Sequence, residues 1–492
     1  MMTINMTKNT TSKVAWVEQV PDKFTKDSQT ASGGGKKSNQ DIKEFAESTS
    51  AHGLKNAVSE RGSRFRRLAW FLAFLSALAF LGYQLGTCCV DYYKYPIQAQ
   101  PTLKRMETLK FPTVTICNLN LADANKVENP EAVTHIFRVA KGGHWPAALN
   151  TTLDEMQNSD VYGPYLRRSY RELIHQMSSK VDEIFDFCTW NGEMVSCEDM
   201  LVPVWTFIGK CFKLNSNAAQ PLVATRPGFS GGFFATLRTS LSGHTVSGQS
   251  SYGFKALVHH MYDFPDVYSK GLLLSPGFSY HVSLQENTIK YLPHPYKAQG
   301  EMYCSEYEDP TDLNMDQDMI LSDTPAATFH SVTACIFHRA NSQASSICGC
   351  NMKNCTLYKQ LSCFEPTFTR IYDEATKMGL LGCPIPCTIH SYQPIISQAA
   401  FPAPDLLALD TMMTGNNSRM DKNLYLGLSL FFEDLIVRQQ IHHPVYNSLS
   451  MMGMIGGNMG LLLGASLLTL AELLEFVLFL IWRMLPRPRE DL

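Results

Sequence analysis

The feature that most constrains this chain is an apolar run near its C-terminus, Leu449 to Trp482. As one straight helix the run would be about 50 Å long, whereas the hydrocarbon core of a bilayer is about 30 Å thick, so we expect it to tilt or break. Glu472 and Glu475 lie within it, and ionisable residues in a span are tolerated mainly beside water. The run therefore indicates a pore-lining segment. Glycines at a spacing of four, which let helices approach closely or unwind, recur along it: Gly453, Gly456, Gly457, Gly460 and Gly464.

An earlier apolar stretch, Leu68 to Gly86, has 19 residues without a charge, enough to cross a bilayer once. It begins too far from residue 1, and runs too long, for a cleaved signal peptide. Arginines precede this stretch and follow the second run, so both chain ends are predicted to be cytoplasmic. Residues 88–448 would then form one extracellular block. The arginines are Arg61, Arg64, Arg66, Arg67, Arg483, Arg487 and Arg489.

The cysteines agree with this topology. All 14 lie between Cys88 and Cys387, and disulfides persist outside the cell but are rare in the cytosol. Glycosylation sequons lie in the same block at Asn150, Asn354 and Asn416. The 492 residues are 45% hydrophobic and can bury a large core. The net charge of -3 argues against a nucleic-acid partner.

Within the extracellular block the sequence predicts both strands and helices. Phe111–Cys117 and Leu424–Phe432 alternate in polarity as strands do. Because they lie near the two ends of the block, they could pair as neighbours that continue into the two spans. Pro164–Met177 and Phe368–Met378 have helical composition. The predicted fold class is an α+β membrane protein, with two transmembrane helices and a large disulfide-rich extracellular domain.

A cluster of cysteines allows two interpretations. Zinc sites show C-x-x-C pairs with a second pair or histidines downstream, whereas the spacings here are irregular and the context is extracellular. Disulfides are therefore favoured over zinc. Cys88 and Cys89 are adjacent at the outer end of the first span, so they could be free, acylated or paired between subunits. The clustered cysteines are Cys335, Cys348, Cys350, Cys355, Cys363, Cys383 and Cys387.

Three motifs and the cysteine cluster together resemble the degenerin/epithelial sodium channel superfamily, which includes acid-sensing and peptide-gated channels. The motifs are FPTVTICNLN at 111–120, GKCFKLN at 209–215 and GGNMGLLLGAS at 456–466. The resemblance covers about residues 45–485, and the last motif is the most specific. It implies a homotrimer in the plasma membrane with a sodium-selective, amiloride-blockable pore. It also implies an ectodomain of palm, finger, thumb, knuckle and β-ball.

The resemblance assigns roles along the pore. Gly464, Ala465 and Ser466 match the selectivity filter, where an unwound segment can present carbonyl oxygens to sodium. Glu472 and Glu475 match acidic positions that concentrate cations. The gate is expected at Gly453, Gly456 and Gly457. His52 and Gly53 match the His-Gly pair of a re-entrant segment that supports the pore from the cytoplasmic side.

The resemblance also implies a disulfide pattern. The pairs are Cys117 with Cys211, Cys188 with Cys197, Cys304 with Cys387, Cys335 with Cys383, Cys348 with Cys363, and Cys350 with Cys355. Pairing of Cys355 competes with glycosylation at the Asn354 sequon, so glycans are expected at Asn150 and Asn416.

The chain is thus divided into six segments. They are a disordered cytoplasmic tail (1–44), the re-entrant His-Gly segment (45–66), the first transmembrane helix (67–87), the extracellular domain (88–448), the pore helix (449–482) and a short cytoplasmic tail (483–492).

Two kinds of gating stimulus stay open. Proton-gated relatives carry clustered carboxylates between finger and thumb, and a histidine pair soon after the first span. Residues 95–97 here are Tyr-Pro-Ile, and the thumb segment offers few carboxylates, namely Glu365, Asp373 and Glu374. The resemblance therefore favours an extracellular neuropeptide of the FMRFamide type, with protons or constitutive opening as alternatives. Its binding residues are not predicted. Some neighbouring histidines could titrate near neutrality, although loop or core positions are the ordinary interpretation: His259, His260, His442 and His443.

Other protein classes fit less well. A trimeric ATP-gated channel also has two spans and a cysteine-rich loop, but its lysine clusters and Asn-Phe-Arg element are missing from this sequence. An ectoenzyme or adhesion receptor would not explain Glu472 and Glu475 in a glycine-broken span. The sequence shows no paired nucleophile and base, no phosphate loop and no set of metal ligands. We therefore predict no enzymatic activity, no metal site and no cofactor, with sodium as the permeant ion.

Overall fold

The computed structural model describes residues 43–51, 53–59, 63–120, 122–141, 151–217, 219–241, 243–245, 251–306, 331–378, 382–406, 421 and 423–484. Residues 1–42 of the predicted disordered tail, His52 and the sequons at Asn150 and Asn416 lie outside these residues, whereas the last two residues of that tail, 43 and 44, are helical. The chain forms two compact units. One, the helical unit, contains the described residues of Met1–Val90 and Ser448–Leu492; the other, the sheet unit, is Asp91–Asn447.

The helices are given in chain order. They are α1 Leu54–Val58, α2 Arg64–Tyr93, α3 Pro130–Lys141, α4 Leu153–Gln157, α5 Gly163–Leu166, α6 Tyr170–Met177, α7 Val181–Ile184, α8 Cys197–Met200, α9 Val332–Cys348, α10 Leu357–Lys359, α11 Glu365–Met378, α12 Ser448–Leu463 and α13 Leu467–Met484. Short turns of 3-10 helix cover Ala124–Lys126 and Phe229–Gly231, and a π-helical turn covers Gln360–Phe364. Residues 43–48 are also helical.

The strands are β1 Ile97–Arg105, β2 Leu109–Lys110, β3 Thr113–Asn118, β4 Phe185–Trp190, β5 Glu193–Val195, β6 Leu201–Thr206, β7 Gly209–Leu214, β8 Val223–Ala224, β9 Phe233–Arg238, β10 Phe254–His259, β11 Leu272–Leu274, β12 Phe278–Lys290, β13 Cys304–Ser305, β14 Ile385–Pro386, β15 Thr388–Ala400 and β16 Tyr425–Pro444. A seven-stranded sheet has the order β15-β12-β16-β9-β4-β5, with β1 also paired to β16. A five-stranded sheet has the order β11-β10-β3-β7-β6.

The main core lies between these two sheets. Leu426, Leu428 and Leu430 alternate along β16 and are buried in it, together with Ile116 of β3 and Phe254 of β10. Because strand side chains alternate between faces, one leucine in every two residues places a continuous apolar face on the core. The predicted β16 alternation therefore marks the centre of the seven-stranded sheet.

The predicted pairing of the two end strands is wrong. β3 lies in the five-stranded sheet, between β10 and β7, and all six of its residues are buried. The strand near the start of the block that pairs with β16 is β1, which runs from Ile97 opposite Pro444 to Arg105 opposite Ile436. Eight of the nine β1 residues are exposed. A strand buried on both faces belongs in the interior, whereas an exposed strand can close a sheet edge.

Two helical clusters complete the sheet unit. α3, α4 and α6 pack around Ile136, Leu166 and Leu173, and α9 and α11 pack around Phe337 and Phe368. The predicted helix over 164–177 is interrupted, because α5 ends at Leu166 and α6 begins at Tyr170, where Ser169 caps it by accepting from the Glu172 amide. The combination of sheets with separate helical clusters matches the predicted α+β class.

Six disulfides staple the sheet unit. They are Cys117–Cys211, Cys188–Cys197, Cys304–Cys387, Cys335–Cys383, Cys348–Cys363 and Cys350–Cys355, the same pairs that the resemblance implies. Every cysteine of the cluster is bonded, so the zinc alternative is wrong. Within the described residues, no group of three or more histidine, cysteine or acidic side chains is placed to hold a metal ion.

Candidate functional site

The predicted filter lies at a break between two helices. α12 ends at Leu463, α13 begins at Leu467, and the two axes differ by 77°. Among the described helices, α2 alone is long and apolar enough to cross a bilayer unbroken, and α12 with α13 meets the same test only as a bent pair.

Gly464 ends the first of these helices. Its φ is +61°, in the left-handed region that side chains with a Cβ rarely adopt. Its amide donates to Gly460 O at 3.0 Å, and the Ala465 amide donates to Met459 O at 3.2 Å. This is the αL type of helix C-cap. The backbone therefore turns out of the helix at the first of the three predicted filter residues.

Ser466 begins the next helix. Its amide donates to Thr469 Oγ1 at 3.0 Å, and the Thr469 amide donates back to Ser466 Oγ at 3.4 Å. This reciprocal pair is a capping box with threonine in the place of glutamate. Between the two caps, Ala465 is buried against Leu81 of α2. The break is thus held by a cap on each side and by apolar packing in the middle.

The two acidic side chains lie on α13, three residues apart and exposed. Glu472 Oε2 lies 3.5 Å from the Ser50 amide and 3.4 Å from Ser50 Oγ. Glu475 is the more distant of the two from the break. The N-terminal segment that precedes α1 therefore reaches one of these carboxylates.

That N-terminal segment, residues 43–51, lies against α13. The ring of Phe45 stacks on Phe476 with centroids 4.2 Å apart, and Ser50 Oγ lies 2.7 Å from Thr469 Oγ1. Gly53 has a φ of +89°, and a Cβ there would lie 3.7 Å from the Trp70 ring. The predicted His-Gly position is thus a left-handed turn beside α2, although His52 itself lies outside the described residues.

The glycines of α12 meet nothing within the described protomer. A Cβ added at Gly453, Gly456, Gly457 or Gly460 would have no neighbouring described atom within 4 Å, apart from its own helix. The predicted close helix contact is therefore not made among the described residues. Near the C-terminal end of α2, Cys88 is buried with its Sγ 3.4 Å from Met451 Sδ, and Cys89 is exposed.

A second group of polar side chains lies in the sheet unit. The ring of His260 stacks on His390 with centroids 4.7 Å apart, and His390 Nδ1 lies 3.3 Å from Glu286 Oε1. Burial raises the pKa of the nearby Asp263, and burial raises that of Tyr392 as well. Of the residues in this group, only His260 was singled out from the sequence. More than a hundred residues separate His260 from His390, and only the fold joins β15 to the end of β10.

The other predicted histidines behave differently. Burial lowers the pKa of His259 to about 3, and its ring nitrogens lie 2.9 Å from Thr115 Oγ1 and from the His260 carbonyl oxygen. Burial also lowers the pKa of His442. Both therefore stay neutral near pH 7 and serve the core, as the ordinary interpretation of such histidines holds.

Comparison with known proteins identifies the family of the chain. The family model of the amiloride-sensitive sodium channel matches residues 45–476, so the chain belongs to this family. The protein is therefore a channel of the degenerin/epithelial sodium channel superfamily and not an enzyme.

Individual relatives cover most of the chain. It is 25% identical over 458 residues to acid-sensing ion channel 4-B of Danio rerio, covering 89% of this chain and 75% of that one. It is 25% identical over 466 residues to acid-sensing ion channel 2 of Rattus norvegicus, covering 89% and 86%. A solved structure described as a proton-activated chloride channel aligns over 83% of this chain and 97% of that one, with 7% identity and a TM-score of 0.30. A TM-score that low supports no inference about this chain.

Proposed function

We propose that this chain is the subunit of a homotrimeric, sodium-selective, amiloride-blockable channel of the plasma membrane, with α12, the 464–466 break and α13 lining the pore. The observation that carries the proposal is the break itself. Two capped helix ends meet at Gly464, Ala465 and Ser466, and irregular backbone at membrane depth is tolerated only inside protein or along water. Its carbonyl groups are the proposed sodium ligands.

The membrane topology follows from the same proposal. Residues 67–87 and 449–482 span the bilayer, and 88–448 form the extracellular domain, with glycans at Asn150 and Asn416. The tails, 1–44 and 483–492, and the re-entrant segment, 45–66, are cytoplasmic. The confinement of the six disulfides to the sheet unit supports this orientation.

Two surfaces support the trimer. The glycine stripe of α12 faces no described atom of its own chain, so it leaves room for helices of neighbouring subunits. β1 is exposed over nearly its whole length and displays Leu103 with 72% of its surface exposed. An exposed strand at a sheet edge offers unpaired backbone groups to which a second chain can bind.

The gate is proposed at Gly453, Gly456 and Gly457. A bulky residue at Gly453 would disfavour close packing of three helices in the closed state. We therefore expect Gly453→Phe to raise the resting current, measured by voltage clamp and normalised to surface density. A resting current at background in a channel that still answers its stimulus would place the gate elsewhere.

The main test is voltage-clamp recording from cells that express this chain alone, during acid steps and then a panel of amidated peptides, with and without amiloride. The expected result is an inward sodium current that amiloride blocks. Replacement of Ser466 should change the sodium-to-potassium permeability ratio at unchanged surface expression. A ratio equal to wild type would overturn the filter assignment.

For the stimulus, protons have a specific structural observation in their favour. The stacked rings of His260 and His390 lie beside Glu286 and the buried Asp263. Acidification would add charge to imidazoles near neutral pH, and a proton on either ring is attracted by these carboxylates. The groups near the pair and Asp263 are Tyr262 just after β10, Lys270 just before β11, Tyr392 of β15 and Ser331 before α9.

The relatives' description as acid-sensing channels agrees with a proton stimulus. An FMRFamide-type neuropeptide, the stimulus that the resemblance favoured, remains the alternative. The acid and peptide arms of the recording separate the two: current during acid steps alone supports protons, and current during peptide application at constant pH supports the neuropeptide.

A further inference from the structure

A chain of four polar groups joins the N-terminal segment to the pore break. Thr469 Oγ1 lies 3.0 Å from the Ser466 amide nitrogen and 2.7 Å from Ser50 Oγ. Ser50 Oγ in turn lies 3.4 Å from Glu472 Oε2. Thr469 is buried, with 8% of its surface exposed. The short contact between the two hydroxyl groups is the central one, since the carboxylate lies at the long end of hydrogen-bonding distance.

The chemistry of the groups fixes one direction for the protons. The Ser466 amide can only donate and an ionised carboxylate can only accept. Thr469 Oγ1 therefore accepts from Ser466, and Ser50 donates to Glu472. The Thr469 hydroxyl is then left to donate to Ser50, so each hydroxyl accepts once and donates once. Hydrogen bonds that run in one direction strengthen each other.

We propose that Ser50 is a positioning residue for the selectivity of the pore. Its hydroxyl holds the Thr469 side chain, and Thr469 fixes the amide of Ser466, which is the last residue of the break. The N-terminal segment thereby sets the geometry at which α13 begins. This inference rests on the proposed function of the 464–466 break as the filter.

The same contacts divide the two acidic residues. Glu472 is the terminal acceptor of the chain of hydrogen bonds and holds the N-terminal segment, whereas Glu475, one turn further along α13, is left to act on cations by its charge. The two carboxylates therefore have different roles in this proposal, although they are only three residues apart. Glu472→Ala removes the acceptor and should change the permeability ratio in the same direction as loss of the Ser50 hydroxyl, whereas Glu475→Ala should chiefly lower the conductance.

The experiment compares serines of one segment in the full-length channel. Ser50→Ala removes the central hydroxyl and Ser50→Thr restores one. Ser48→Ala is the matched control, because Ser48 Oγ donates to Phe45 O within its own helical turn at 3.1 Å. Reversal potentials give the sodium-to-potassium permeability ratio, with surface density measured in parallel. We expect Ser50→Ala to lower the ratio about three-fold, the effect of one net hydrogen bond, and both other variants to match wild type.

A second measurement tests the contact without any current. Ser50→Cys combined with Thr469→Cys should cross-link within one chain in isolated membranes under a mild oxidant, and Ser48→Cys with Thr469→Cys should not. Failure of the first pair to cross-link overturns the contact. A Ser50→Ala ratio equal to wild type, or a Ser48→Ala ratio lowered as much, overturns the positioning role. If the Ser50→Cys, Thr469→Cys chain cross-links but wild-type channels carry no sodium-selective current, the result counts against the proposed function instead.

Discussion

The sheet unit and the helical unit differ in how far their apolar side chains are buried within the chain. The sheet unit buries alternating residues of two sheets against each other and closes six disulfides within itself. In the helical unit, only 6% of the most apolar window of α2 is buried within the chain, and the α12 glycines face no described atom. The apolar core of the sheet unit is thus closed within one chain, whereas the apolar side chains of α2 stay largely exposed among the described residues.

This difference indicates which property of the channel, stability or conduction, a substitution in each unit should change. In the sheet unit a change is felt through packing and cross-links of the same chain, so its effect is on stability. Most side chains of α2 are not buried within the chain, so under the proposed function we expect a change in the helical unit to be felt in conduction. The break is the exception, because its caps are made inside one chain.

The largest effect is expected from a cysteine pair in the sheet unit. Cys117 and Cys211 join β3 to β7 and are both fully buried. Replacing both by serine should lower the free energy of unfolding by about 2–5 kcal/mol, seen as a lower melting temperature of the solubilised channel. Cys89→Ser, at an exposed position of α2, is the control and should melt as wild type does. Equal melting temperatures of the two variants would contradict the stabilising role assigned to this disulfide.

A smaller effect is expected at the glycine that ends α12. Gly464→Ala places a Cβ on a left-handed residue at a cost of about 1–2 kcal/mol, which should distort the cap and reduce the current per channel. Gly82→Ala is the control, since Gly82 lies within the helix α2 and a Cβ there meets no described neighbour. Single-channel recording distinguishes the two. A normal conductance in Gly464→Ala would mean that the left-handed turn is dispensable.

The smallest effect is expected at the histidine pair. His390→Gln removes one protonatable ring but keeps a polar side chain near Glu286. If protons open the channel through this pair, half-activation should need a lower pH in the variant, because one of the two imidazole rings is missing. His281→Gln is the control on the same sheet, since His281 stacks on Phe229 instead. Acid dose–response curves give both values, and identical shifts in the two variants would reject the pair as the sensor.

Much of the architecture could be predicted from local signals. The alternating leucines of β16 mark a strand because the strand period is two. The length of the C-terminal apolar run, with its glycines, predicts a broken helix because about 50 Å cannot cross about 30 Å upright. The partner of each strand could not be predicted in this way. Pairing depends on which faces are buried, and β3, buried on both faces, joined the five-stranded sheet instead of β16.

The sequence by itself predicts the two apolar segments and the oxidised block between them, since each depends on residues close together in the chain, and the family resemblance implies the break at Gly464, Ala465 and Ser466. Only the tertiary structure decided that Ser50 meets Thr469 and that His260 meets His390. These pairs are separated by 419 and 130 positions. Contacts over such distances are set by the packing of whole elements, and no local period or spacing encodes them.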